Sequence, residues 1–372
     1  MMGRIRRRHL VLPLLGRQHL RDSMQVTRPA ILRNSTLAGI QSALVVLVAL
    51  PLVQLSAWSH LIGYAGLGAL VALFGRFAPK GRRTWTVFKV AVCQTASVLL
   101  MTLASLAGLG MAGMMALLAL MGGAFYIIGL KGRFGPPGAL IFMFAATAAM
   151  PAPASPEEAT GRVIMTGAVA MLSVLLCALT EVFRFKGDDE CSLPADPVMS
   201  ARDMGLVAVR VTASAAVAGY VAMWAGMAHP AWASLGAVAV VLGSKLHLSL
   251  HRAFQRMAGT VVGSLGVWLL LQAEPSVWII IAVLALLQIL TEVLIGFNYA
   301  LGQMFVTPMA LLMTYQASAG RVGPSIASER VVDTLLGVAI GVLLALLLST
   351  HADRAHFMER HRQGRKPPPS LG

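Results

Sequence analysis

Long apolar segments, separated by short polar connections, dominate the pattern of this chain. No Asp, Glu, Lys or Arg occurs in residues 37–75, 90–130 or 211–244, and each run is long enough for two membrane crossings at about 20 residues apiece. Apolar residues make up 57% of the 372 residues and charged residues only 12%, whereas soluble domains carry about 45–50% and about 25%. The pattern therefore predicts an all-α polytopic membrane protein and excludes an ordinary soluble enzyme.

Charged residues, turn residues and Gly/Pro clusters divide the apolar runs into twelve predicted membrane spans. The spans lie near 37–57, 60–76, 88–107, 110–130, 138–151, 162–183, 204–226, 230–244, 255–273, 276–292, 298–317 and 330–349.

The net charge of +15 is explained by membrane topology. With the N-terminus in the cytoplasm, the cytoplasmic segments hold 26 of the 30 Lys and Arg residues, as the positive-inside rule requires. An even number of spans then places both termini in the cytoplasm, and nucleic acid is not an expected partner. The N-terminal stretch lacks the features of a cleaved signal peptide. Because Met24 begins the stretch that directly precedes the first span, residues 1–23 are interpreted as dispensable or as not belonging to the native protein.

The two halves of the sequence resemble each other at a displacement of 168 residues. ATGRVIMT at 159–166 aligns with ASERVVDT at 327–334, and GYAGLGALV at 63–71 with AWASLGAVA at 231–239. Each half holds six spans, which predicts two parallel repeats and a solute path where they meet. The predicted organisation is a basic cytoplasmic N-terminus at 1–36, a first six-helix repeat at 37–184, a cytoplasmic linker at 185–203, a second repeat at 204–350 and a basic cytoplasmic tail at 351–372.

Three blocks of the second half carry a family resemblance. HPAWASLGA at 229–237, RAFQRMAGTVVG at 252–263 and ERVVDTLLG at 329–337 resemble the fusaric acid resistance (FUSC) family of integral membrane transporters, which is related to bacterial aromatic acid exporters. The resemblance implies proton-driven export of small organic anions, often aromatic carboxylates, across the bacterial inner membrane. Many members of the family carry a large cytoplasmic domain, and here only the 185–203 loop stands in its place.

Ionisable residues inside spans are functional candidates, because each costs at least about 2.5–3.5 kcal/mol to insert. Arg210 lies about two turns into the seventh span, where it could bind a carboxylate or extend its side chain to the cytoplasmic interface. Arg330 and Asp333 are one helical turn apart, so they form either an anion and proton site or a structural ion pair. Arg256 either collects cytosolic anions or is a basic residue at a helix start.

Two further residues complete the candidate site. Trp232 could stack on an aromatic substrate, although an interfacial Trp is also typical of the aromatic belt. Glu292 has no Lys or Arg nearby in sequence and is a second proton-coupling candidate. The site prediction is therefore substrate binding by Arg210, Arg256, Arg330 and Trp232, and proton coupling by Asp333 and Glu292.

No catalytic, nucleotide-binding or metal-binding motif is present, so the sequence predicts no enzyme activity, no cofactor and no metal. Without a nucleotide motif, pumping has to use an ion gradient. A passive organic-anion channel and a non-transporting membrane scaffold are the alternatives. The expected partners are the anion and the lipid bilayer, and a homo-oligomer and a periplasmic adaptor are both compatible with the sequence.

Overall fold

Twelve α-helices make up most of the described chain. The computed structural model describes residues 32–75, 78, 81–135, 138–183, 200–242, 246–318 and 323–348, without the side chains of 246–249 and 251. The predicted basic tail and most of the basic N-terminus and linker lie outside these residues. The helices are α1 Leu32–Gln54, α2 Ile62–Ala69, α3 Arg83–Leu106, α4 Met111–Gly132, α5 Ala139–Ala148, α6 Pro156–Leu179, α7 Ala201–Trp224, α8 Pro230–Val241, α9 Leu246–Gln272, α10 Val277–Leu294, α11 Tyr299–Ala317 and α12 Ile326–Leu347.

Eight of these helices are long and apolar enough to cross a membrane. The prediction of an all-α polytopic membrane protein is confirmed, and every predicted span contains a helix. The three shorter apolar segments are Ser59–Leu73, Ala139–Ala148 and Pro230–Val241. Helix α11 is not among the eight, and polar side chains such as Gln303 and Thr307 interrupt its apolar sequence. Twelve complete crossings therefore remain a prediction.

The short helices α2 and α8 form the centre of the molecule. All of their residues are buried, as expected of helices that are apolar on every side. The long helices surround them and expose large apolar side chains, among them Leu47, Leu103, Leu175 and Leu269. An apolar exterior of this kind matches the hydrocarbon of a bilayer.

Small residues bring the helices of the second half into close contact, as is common in membrane bundles. A Cβ atom added at Gly337 of α12 would clash with the carbonyl oxygen of Ala233 in α8. Gly259 and Gly263 of α9 lie against α11, where added Cβ atoms would approach the carbonyl oxygens of Ala300 and Met304 within 3 Å. These contacts fix α8, α9, α11 and α12 around a common interior.

The first set of six helices, α1–α6, contacts the second set, α7–α12, through matching pairs. Helix α1 packs against α10, and α4 packs against α7. Likewise, α2 contacts α11 and α5 contacts α8. The first and fourth helices of one set thus contact the fourth and first helices of the other. The second and fifth helices likewise contact the fifth and second.

Candidate functional site

Arg330 enters the protein interior one turn after the start of α12. It is 5% exposed, and its guanidinium carbon lies 4.9 Å from the centre of the Trp232 ring. Trp232 is buried in the first turn of α8, two residues after Pro230. A cation over the face of an indole ring is attracted by the negative charge of that face, so α8 and α12 together hold Arg330.

His229 covers the same tryptophan from the loop between α7 and α8. Its ring centre lies 4.1 Å from that of Trp232, with the planes 29° apart, and its Nε2 lies 3.1 Å from Oε2 of Glu329. Burial lowers the pKa of His229; Glu329 raises it, and Arg330 lowers it further. At neutral pH the imidazole is therefore uncharged and can donate a hydrogen bond to Glu329.

Asp333 and Arg256 are buried near Arg330. Asp333 follows it by one turn on α12, and Arg256 lies on α9, where its Nη1 donates a hydrogen bond to Oε1 of Gln303 at 3.3 Å. The charges of Arg256 and Asp333 both act on Arg330. The structure thus brings together four of the six predicted site residues: Arg256, Arg330, Asp333 and Trp232.

These charged groups are incompletely satisfied by the residues that the structure describes. The Nε atoms of Arg256 and Arg330 and both carboxylate oxygens of Asp333 lack hydrogen-bond partners there. The direct ion pair between Arg330 and Asp333 is not formed, because no nitrogen of the arginine lies within 4 Å of the carboxylate in this arrangement. Buried charges without partners are costly, so the cluster is chemically incomplete by itself.

The first half contains a matched but fully bonded counterpart. Arg162 is 2% exposed and lies 5.3 Å from the Tyr64 ring centre; both residues precede their second-half counterparts by 168 positions. Arg162 forms a 2.8 Å salt bridge with Glu158 and donates to the Pro151 carbonyl at 2.7 Å. Met165 replaces the aspartate. The first-half arginine is therefore occupied by protein groups.

The other two predicted residues lie elsewhere. Arg210 is partly exposed, and its Nη2 donates to the carbonyl oxygen of Leu348, just after the end of α12, at 2.9 Å. Glu292 is buried on α10, where an added Cβ at Gly39 of α1 would approach its Cβ within 3.3 Å. Arg210 thus lies apart from the cluster, and Glu292 lies at the contact between the two sets of helices. The cluster lies among helices of the second half, and a solute path between the halves stays a prediction.

A second buried polar group was missed by sequence reasoning. Arg83, at the start of α3, donates hydrogen bonds to Gln41 and toward Sγ of Cys177, and its Nη1 lies 3.7 Å from Oε2 of Glu181. Arg83 stands in a basic loop sequence, so the positive-inside rule alone accounts for its charge. Only the packing of α1 and α6 over the start of α3 reveals that it is buried.

The described side chains include no group of three or more His, Cys, Asp and Glu residues that could hold a metal ion. The candidate site is therefore a set of buried arginines, one carboxyl group and an aromatic platform. Such a set can bind an organic anion by charge and by ring stacking.

Comparison with known proteins agrees with the position of this cluster. Residues 216–344 match the family model described as fusaric acid resistance protein-like. This segment is a FUSC-like region. The resemblance predicted from the three sequence blocks is thereby confirmed, and the segment contains every residue of the cluster around Arg330.

A curated relative supports the same assignment. The chain is 39% identical over 123 residues to an uncharacterized membrane protein, YvaC, of Bacillus subtilis (strain 168). The alignment covers 33% of this chain and 20% of the relative, so the chain spans about a fifth of the relative's length. No solved structure matches the chain. The comparisons therefore identify a membrane protein with a FUSC-like second half.

Proposed function

We propose that the protein exports small organic anions, aromatic carboxylates among them, across the bacterial inner membrane. The observation that carries this proposal is the buried group formed by Arg256, Arg330 and Asp333. Two guanidinium groups and one carboxylate leave one positive charge, and several of their polar atoms have no partner among the described residues. One bound carboxylate would neutralise that charge and accept hydrogen bonds from the N–H groups that have no partner.

The aromatic preference rests on Trp232. Its buried indole places an apolar ring beside the Arg330 guanidinium. An aromatic carboxylate presents the same combination of a flat apolar ring and an anionic group, so Trp232 would shape a pocket for the ring while Arg330 binds the charge.

Coupling to the proton gradient is assigned to Asp333 and Glu292. Protonation of Asp333 removes the negative charge that competes with an anion for Arg330, so a proton and an anion at this site stabilise each other by linkage. An exchange of anion for proton needs a group that titrates separately from this site. Glu292, buried between the two sets of helices, is our candidate for that group.

The proposal includes two parallel six-helix repeats with both termini in the cytoplasm. Support comes from the two cation-aromatic pairs, Arg162 with Tyr64 and Arg330 with Trp232, which are 168 residues apart. The complementary contacts of α1 with α10 and of α4 with α7 support it as well. In this arrangement the second repeat carries the transport site and the first is its structural partner.

The experiment is accumulation of labelled aromatic and aliphatic carboxylates in energised inside-out vesicles. Vesicles with the protein are compared with empty vesicles, with and without a protonophore. The expected result is accumulation that persists when potassium and valinomycin collapse the membrane potential and that the protonophore abolishes. Protein-dependent equilibration that follows voltage alone would replace the exporter with an anion channel. No protein-dependent flux of any tested carboxylate would contradict anion transport and favour a scaffold.

A further inference from the structure

A lateral groove between α1 and α6 suggests a binding site that the transport proposal does not use. The groove encloses a volume of about 500 Å³ and lies between the second half of α1 and the first two thirds of α6. It belongs to the first set of helices, whereas the Arg330 cluster belongs to the second.

The groove faces the bilayer. Helices α1 and α6 are both long and apolar enough to cross a membrane. Leu52 and Ile164, which line the groove on its two sides, are 64% and 69% exposed. Large aliphatic side chains with this exposure on spanning helices contact lipid.

The lining changes from polar to apolar along the groove. Ser56, Trp58, Glu157 and Thr160 lie at the end where α1 finishes and α6 begins. Further along α6 the lining is apolar as far as Leu172. A polar end with an exposed tryptophan followed by an apolar channel has the same polarity profile as one leaflet of a bilayer.

The length of the groove also matches one leaflet. Glu157 and Leu172 are 15 residues apart on α6, which corresponds to about 22 Å at 1.5 Å per residue. Half of a bilayer of about 40–45 Å, headgroups included, is about the same. A phospholipid can therefore lie along the groove with its headgroup at Glu157 and an acyl chain reaching Leu172.

The charge at the polar end selects among headgroups. Glu157 is exposed and forms no salt bridge with a described residue, whereas the neighbouring Glu158 is paired with Arg162. An exposed carboxylate without an ion-pair partner attracts an ammonium group and repels an anionic phosphate that has no compensating amine. We propose that this groove binds a phospholipid with an ammonium headgroup, of the phosphatidylethanolamine class, independently of the transported anion.

The test is native mass spectrometry of the purified full chain after addition of phosphatidylethanolamine or phosphatidylglycerol. Ala168→Trp fills the groove from an exposed position twelve residues into α6. Ala339→Trp is the matched control, because Ala339 is an exposed alanine at a similar distance into α12, outside the groove. Glu157→Gln removes the charge and keeps the shape.

We expect one tightly held lipid that prefers phosphatidylethanolamine, that is lost in Ala168→Trp and that is kept in Ala339→Trp. Glu157→Gln should keep the lipid and lower the headgroup preference about two- to fivefold, the range of an exposed ion pair. Equal lipid binding by the two tryptophan variants would overturn the proposal. So would a preference for phosphatidylglycerol, displacement of the lipid by a free aromatic carboxylate, or a dimer that Ala168→Trp converts to a monomer without change in bound lipid.

Discussion

Replacement of Arg330 and of Arg162 by methionine should have opposite consequences. Both arginines are buried to the same degree and both lie over an aromatic ring. They differ in their bonding, because Arg162 is paired with Glu158 and Pro151, while Nε of Arg330 has no hydrogen-bond partner among the described residues. The pair therefore separates a structural arginine from one that is available to a ligand.

The expected magnitudes follow from these contacts. Arg162→Met leaves a carboxylate and a buried carbonyl oxygen without their donor, which should lower stability by about 2–3 kcal/mol. Arg330→Met loses a cation-π contact of about 1–2 kcal/mol but also removes an unpaired buried charge that costs several kcal/mol. Its net effect should lie within about 1 kcal/mol of the wild type or be stabilising.

Thermal unfolding of both variants in detergent, with and without an aromatic carboxylate, provides the assay. A ligand at 100 times its Kd stabilises a protein by about 2.7 kcal/mol. The carboxylate should raise the Tm of the wild type and of Arg162→Met but not that of Arg330→Met. If Arg330→Met is destabilised as much as Arg162→Met, or is still stabilised by the carboxylate, the distinction between the two arginines is refuted.

Three further tests address other parts of the account. Asp333→Asn removes the charge that competes with the anion, so anion affinity should rise about tenfold and lose its dependence on pH; equilibrium binding at pH 5.5 and 7.5 measures both. Because burial lowers the pKa of His229, the unfolded chain binds more protons at this residue, and stability should fall as the pH drops below about 6.5. The Tm of His229→Gln should therefore fall less between pH 7 and pH 5 than the Tm of the wild type. Gly337→Val places a side chain against the Ala233 carbonyl and should lower the free energy of unfolding by about 3 kcal/mol or more. An added Cβ at Gly266 has no atom within 4 Å, so Gly266→Ala should stabilise α9 by up to about 1 kcal/mol. Thermal unfolding distinguishes the two variants.

The positions of the helices could be predicted from the sequence because lipid imposes a strong rule. A span has to be apolar and to satisfy its backbone internally, so runs without charges mark helices directly. The short helices were predicted as spans as well, although α8 is a twelve-residue helix buried on all sides. Hydrophobicity alone does not distinguish a helix that is covered by protein from one that is covered by lipid.

The charged residues show where sequence reasoning stops. Arg210 and Arg256 both stand in the first part of an apolar helix, yet Arg210 bonds to the end of α12 at the surface and Arg256 is buried beside Gln303. Which way each side chain faces depends on the packing of neighbouring helices. The contact of His229 with Glu329 joins residues 100 positions apart, and no local pattern predicts it.

The most direct test of the central claim is the flux of a labelled aromatic carboxylate into energised inside-out vesicles that contain wild-type protein, Arg330→Met or Arg210→Met. All three vesicle preparations should carry equal amounts of folded protein, measured by size-exclusion chromatography. The account predicts that Arg330→Met abolishes the accumulation and that Arg210→Met retains it. Accumulation retained in Arg330→Met but lost in Arg210→Met would contradict transport through the buried cluster on α12.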